Sequence, residues 1–224
     1  MKSHYYKNLW LTGLYLLTVF TAAAQKNNKY LKGSYIDSTG QKIDGFISMQ
    51  EMGLLSFDFK KQLGDKNEKI KVSGCQAFSF ENHSFCTLKN VTIRTRIWHY
   101  HFDKVFAEQV IDGPLQLYRL YFKPGKVGYM RYVALAGRFA PGPASAGVGV
   151  FMNNKYVNYF LRKSGDTTGY CFIGKKRKDF ITSLTPWLKE DTLLVRRIKT
   201  GGDYSFNNIE SVVREYNDYI VNKQ

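Results

Sequence analysis

The chain is poor in acids. Its 18 aspartates and glutamates face 33 lysines and arginines, a net charge of +15 at neutral pH. Such an excess favours anionic partners and bears on association rather than on fold. Cysteine is also scarce: Cys75, Cys86 and Cys171 are the only three. An odd number excludes a fully paired disulfide framework. Cys75 and Cys86 fall on neighbouring expected strands, so they can form a bridge; the alternative is three buried thiols acting as small hydrophobes. Catalytic signatures are missing as well. There is no G-x-S-x-G nucleophile elbow, and the glycines of Gly137–Gly149 lack the lysine and hydroxyl residue of a P-loop. No cofactor is expected. After Phe20 no apolar run is long enough to cross a bilayer as a helix.

What is present begins with an address. Lys2 and Lys7 precede the apolar run Leu9–Phe20, and Ala22-Ala23-Ala24 stands before Gln25. This is the layout of a cleaved signal peptide over residues 1–24, with a retained anchor helix as the alternative. No cysteine follows the cleavage position, so a lipoprotein is not expected and the mature chain is read as periplasmic or secreted. Without Lys2 and Lys7 the charge of +15 becomes +13. An exported chain this basic suits anionic envelope lipid, acidic glycan or a partner protein; nucleic acid is not expected.

The centre of the chain is Val105–Phe122, two apolar runs joined at Asp112-Gly113 with Pro114 opening the return strand. Asp-Gly between apolar runs is a strong hairpin signal, because both residues tolerate positive φ. Earlier, Lys32–Asp37 and Lys42–Ser48 form a first hairpin around Ser38–Gln41. Leu54–Lys60 alternates, with Leu55, Phe57 and Phe59 on one face. Ile70–Val72, Phe78–Phe80, Phe85–Leu88 and Val91–Ile97 read as further strands, with a turn at Glu81–Ser84. Tyr129–Leu135 reads as a strand and Gly137–Gly149 as a surface loop, followed by a last hairpin of Tyr156–Arg162 and Tyr170–Ile173. After Gly174 the pattern turns helical: Lys178–Leu184, then Pro186–Lys189 with Thr185 as N-cap, then Asp191–Lys199. In the final helix Asn207 and Glu210 make a capping-box pattern. Ile209, Val212, Val213, Tyr216 and Ile220 share one face of it, suited to packing on the sheet. The fold expected is α+β: an antiparallel curled sheet or partial β-barrel over residues 25–174, then a C-terminal helical segment, 175–224, packed on the sheet.

Four short motifs in this order resemble a group of uncharacterised exported bacterial proteins. They are Gly33-Ser34-Tyr35-Ile36 with Gly40 and Gly45-Phe46-Ile47; Phe78-Ser79-Phe80; Val105-Phe106-Ala107-Glu108 with Asp112 through Tyr118; and Val212 through Asn217. The resemblance covers most of the mature chain and implies export and a strand-rich fold, with no activity attached. Trp98-His99-Tyr100-His101 and Gly137–Gly149 depart from the pattern.

Three constellations could carry function. Lys175, Lys176, Arg177 and Lys178 could grip phosphate or sulfate oxygens, or simply form a solvated connection. A helix starting among them would set cations against the positive end of its dipole; a start near Asp179 would remove the conflict. His99 and His101 point to one face of a strand, but zinc needs three or four ligands and no third has a fixed spacing. Tyr118, Tyr121 and Phe122 with Tyr156, Tyr159 and Phe160 could stack on sugars or bases, or fill the core. The reading drawn from these is a non-enzymatic binding or structural module with an anion site at Lys175–Lys178. The alternative is a secreted enzyme, such as a hydrolase, with a site near His99, His101 and Glu108.

Overall fold

A computed structural model describes residues 30–48, 52–94, 99–122, 157–166, 169–201 and 204–223. The expected leader, the strand at Tyr129–Leu135 and the loop Gly137–Gly149 lie outside the described residues. Among the described residues ten antiparallel strands form one curled sheet, a half-barrel, and three α-helices follow. In chain order the strands are β1 (Tyr30–Asp37), β2 (Lys42–Ser48), β3 (Ser56–Lys60), β4 (Glu68–Lys71), β5 (Cys75–Phe80), β6 (His83–Arg94), β7 (His99–Ile111), β8 (Leu115–Tyr121), β9 (Val157–Lys163) and β10 (Cys171–Phe172). Their order across the sheet is β10-β9-β8-β7-β6-β5-β1-β2-β3-β4. The helices are α1 (Arg177–Leu184), α2 (Thr192–Thr200) and α3 (Ile209–Asn222). Among the described residues no helix is long and apolar enough to cross a membrane.

All three expected hairpins form: β1 pairs with β2, β7 with β8 through the Asp112-Gly113 turn, and β9 with β10. A bulge between Gln109 and Ile111 precedes that turn. Asp112 Oδ1 holds it, accepting from Gly113 N at 3.1 Å, Gln109 Nε2 at 2.9 Å and Gln116 Nε2 at 3.0 Å. Close backbone approach explains Gly33: a Cβ there would lie 2.4 Å from the Ser79 carbonyl oxygen on β5.

Several local expectations need correction. Phe85–Leu88 and Val91–Ile97 are not separate strands; β6 runs unbroken through His83–Arg94, because β7 pairs with it along most of that length. The β5–β6 turn is tighter than Glu81–Ser84, since Ser84 already pairs with Ser79 and Glu81 carries the turn at φ 49°. Leu55 is 39% exposed although Phe57 and Phe59 are buried. The strand period starts only at Ser56, and it is Leu54 that turns inward, its carbonyl accepting from Phe106 N at 2.9 Å. Thr185 caps the end of α1 rather than starting a helix; hydrogen-bonded turns continue from it until Asp191 caps α2 by accepting from Leu194 N at 2.9 Å. The last helix is preceded by a 3₁₀ turn, Phe206–Asn208, so its capping box joins Ser205 and Asn208 rather than Asn207 and Glu210.

Two hydrophobic cores result. The first fills the curl of the sheet with Phe57, Phe78, Phe80, Phe85, Phe106, Tyr118 and Phe160 among others. The second lies between β8–β9 and the helices, where Leu115, Leu117, Val157 and Leu161 meet Phe180, Leu194, Ile209, Val212, Val213 and Tyr216. The period of two on β8 and β9 divides these strands between the cores. The expected stacking platform is divided by the same rule: Tyr118, Phe122 and Phe160 belong to the first core, Tyr159 to the second, and Tyr121 touches both.

Candidate functional site

The central hairpin carries a chain of ionic and polar groups that crosses four consecutive strands and ends on a helix. His83 sits at the start of β6, Glu108 on β7, Arg119 opposite it on β8, Tyr159 opposite that on β9, and Glu210 in the first turn of α3. Glu108 is only 5% exposed. His83 Nδ1 donates to its Oε1 at 2.7 Å, while Arg119 Nε and Nη2 donate to Oε2 at 3.0 and 2.8 Å. Arg119 Nη1 reaches Glu210 Oε1 at 3.4 Å, and the Tyr159 hydroxyl donates to the same oxygen at 3.1 Å. Burial works against the Glu108 charge, but the bonds from His83 and Arg119 outweigh it and hold the carboxyl below its usual range. The same bond raises the His83 pKa against an opposing effect of burial. A histidine oriented by a carboxylate is two thirds of a nucleophilic triad. Among the described residues no serine, threonine or cysteine is hydrogen-bonded to His83; the His83–Glu108 bond joins β6 to β7.

His99, His101 and Glu108 do not converge. They share β7, and at about 3.3 Å per residue the seven steps from His101 to Glu108 span about 23 Å. Both histidines are exposed. His101 faces Asp103 Oδ1 at 3.5 Å through Nε2 and Thr92 Oγ1 at 3.2 Å through Nδ1. Among the described residues no group of three or more His, Cys, Asp or Glu side chains could hold a metal ion. All three cysteines are free thiols, and the bridge left open between Cys75 and Cys86 is not made: Cys86 stands opposite Ala77, and Cys75 opposite Asp37.

The basic run is divided in its roles. Helix α1 starts at Arg177, with Lys176 as an N-cap that makes no side-chain bond, so the cations do sit at the helix N-terminus. Asp179 in the first turn offsets them. Arg177 is spent inside the protein, donating to the carbonyls of Ile198 and Tyr204 and closing the C-terminal end of α2. Lys175 lies over the Phe206 ring, 5.4 Å from its centroid, and desolvation lowers its pKa. Lys176 and Lys178 are exposed. Because Arg177 holds Ile198, the start of α1 stands beside the end of α2, which brings exposed Lys199 next to the run.

A second polar cluster lies on the sheet face away from the helices. Gln116 on β8 stands opposite Arg162 on β9, and Tyr170 immediately precedes β10. Arg162 donates from Nε and Nη2 to Gln116 Oε1 at 3.3 and 3.1 Å, from Nη2 to the Tyr118 hydroxyl at 3.0 Å, and from Nη1 to the Tyr170 hydroxyl at 2.9 Å. Its guanidinium carbon lies 5.0 Å from the Tyr170 ring centroid and 5.6 Å from that of Tyr118. The sequence singled out Tyr118 but not Tyr170, and no spacing pointed to Arg162, whose partners Gln116 and Tyr118 are 46 and 44 residues away. Compared with protein-family models, curated proteins and solved structures, the chain matches none.

Proposed function

We propose that the chain is an exported cell-envelope protein that binds anionic envelope material without catalysing a reaction on it. The observation that carries this reading is the junction of α1 and α2, where Lys176, Lys178 and Lys199 stand exposed around the Arg177 clamp and no acidic side chain pairs with them among the described residues. Four acids of the helical part are engaged within the protein: Glu190 with Lys163, Glu210 with Arg119, Glu215 with Arg197, and Asp191 as the cap of α2. Lysines free of internal partners are available to phosphate, sulfate or carboxylate groups on a surface or polymer.

The test is binding of the full chain to phosphatidylglycerol vesicles and to an acidic polysaccharide, at low and high salt. The variant is Lys176→Gln with Lys178→Gln and Lys199→Gln, which leaves the structural Arg177 in place. Several-fold weaker binding and a flatter salt dependence are expected of the triple variant. Unchanged affinity in that variant would remove this junction from the reading.

A further inference from the structure

We propose that Arg162 and Tyr170, positioned by Gln116 and Tyr118, form a binding site for a single carboxylate, carried by an acidic sugar. Every partner of Arg162 among the described residues is formally neutral. The phenols of Tyr118 and Tyr170 both have raised pKa values, with burial as the leading cause, so both are hydroxyls. Nearby Cys86 is pushed up to about 12 by burial and stays a thiol. The carboxylate nearest in the bonding network is Asp112, which touches the Gln116 amide and not the guanidinium. A half-buried charge is ordinarily matched by an opposite charge. Here the faces of two tyrosine rings do part of that work, which leaves room for an anion.

The donor count gives the position. A guanidinium has five N–H groups. Four are used: Nε–H and one Nη2 N–H on Gln116, the other on Tyr118, and one Nη1 N–H on Tyr170. The second Nη1 N–H has no acceptor among the described residues. Tyr118 donates its own proton to Gln116 Oε1 at 2.7 Å, but the Tyr170 proton has no acceptor among the described residues. Two free donors therefore sit on atoms 2.9 Å apart, a spacing that suits the two oxygens of one carboxylate. Gln116 cannot turn to compete, because its amide nitrogen is held by Asp112 Oδ1 at 3.0 Å. One cation in a half-buried site suits a monoanion better than a doubly charged phosphate. The half-buried ring of Tyr170, beside the guanidinium, is the aromatic surface at the position against which a sugar ring could pack. The sugar as carrier rests on the envelope reading above; the carboxylate site does not.

The experiment is calorimetric titration of the full chain with glucuronate, glucose, inorganic phosphate and a polyuronate. Glucuronate is expected to bind and glucose not to. Tyr170→Phe, which removes one hydroxyl, should weaken glucuronate about tenfold, a loss of about 1.4 kcal/mol, and Arg162→Gln should abolish binding. If R162Q fails to fold, Y170F carries the test alone. Competition by the polyuronate would assign the site to a glycan; binding of the monomer alone would assign it to a free acid. Absence of glucuronate binding, equal affinity in Y170F, or phosphate binding as tightly would overturn the proposal. The triple lysine variant separates the two sites: it should keep glucuronate binding whether or not it loses vesicles.

Discussion

Asn217 shows how one side chain can hold two parts of the molecule together. From α3 its Oδ1 accepts from Leu115 N at 2.8 Å and its Nδ2 donates to Leu115 O at 2.9 Å, so a side-chain amide pairs with a strand residue as another strand would. Asn217→Ala leaves two buried backbone groups unsatisfied and should destabilise by about 2–4 kcal/mol in urea unfolding. Asn217→Asp should recover only part of this, because it keeps the acceptor and loses the donor. Gly113 belongs to the same contact: a Cβ there would stand 2.7 Å from Asn217 Nδ2. Glu108 is the other decisive residue. Arg119→Met would strand its buried carboxylate with His83 alone, at about 3–5 kcal/mol. Adding Glu108→Gln should return part of that loss, a coupling measurable by a double-mutant cycle.

The same residues set a pH dependence. Glu108 is depressed in the folded state, so its contribution is present above the unfolded carboxyl pKa, about 4.3, and is lost as pH falls through the lower folded value. His83 is raised, so its contribution is full below about 6.5 and is lost as pH rises through the higher folded value. Together they stabilise most between about pH 4.3 and 6.5. The gap in melting temperature between the wild type and His83→Gln should be widest in that window and close toward pH 9; a gap independent of pH would show that the ion pair contributes nothing.

At the scale of elements, the two strongest sequence signals also proved the most informative. The Asp-Gly turn and the apolar stripe of α3 were legible because each depends on local geometry, and they meet in the structure through Leu115 and Asn217. Two motifs of the resemblance, Asp112–Tyr118 and Val212–Asn217, are thereby one contact. Helix ends and strand ends were less legible. Arg177 closes α2 from another helix, 21 residues away in sequence, and β6 is continuous because the next strand, β7, pairs along it. The β5–β6 turn offers a test at this scale. Glu81 holds φ 49°, where a side chain is strained, so Glu81→Gly should raise stability by about 1 kcal/mol, read as a higher urea midpoint.

At the scale of the whole molecule, the sheet formed by the described residues has two ends, and each is short or charged. β10 is two residues long, and β4 is Glu-Lys-Ile-Lys with only Ile70 buried. Short and charged edges oppose pairing with a second chain. Sedimentation should give one species independent of concentration, and Lys69→Thr with Lys71→Thr should promote association. The sequence by itself determined the strand-rich antiparallel class, the helical ending, the two main hairpins and the basic balance, because all of these depend on local periodicity, turn chemistry and composition. Only the tertiary structure decided which residues act together. Burial and cross-strand register joined Glu108 to His83 and Arg119, and Arg162 to Gln116 and Tyr170, across separations that no local pattern encodes. They also took Arg177 out of the basic run, because the guanidinium binds the nearest unsatisfied carbonyls whatever its neighbours in sequence.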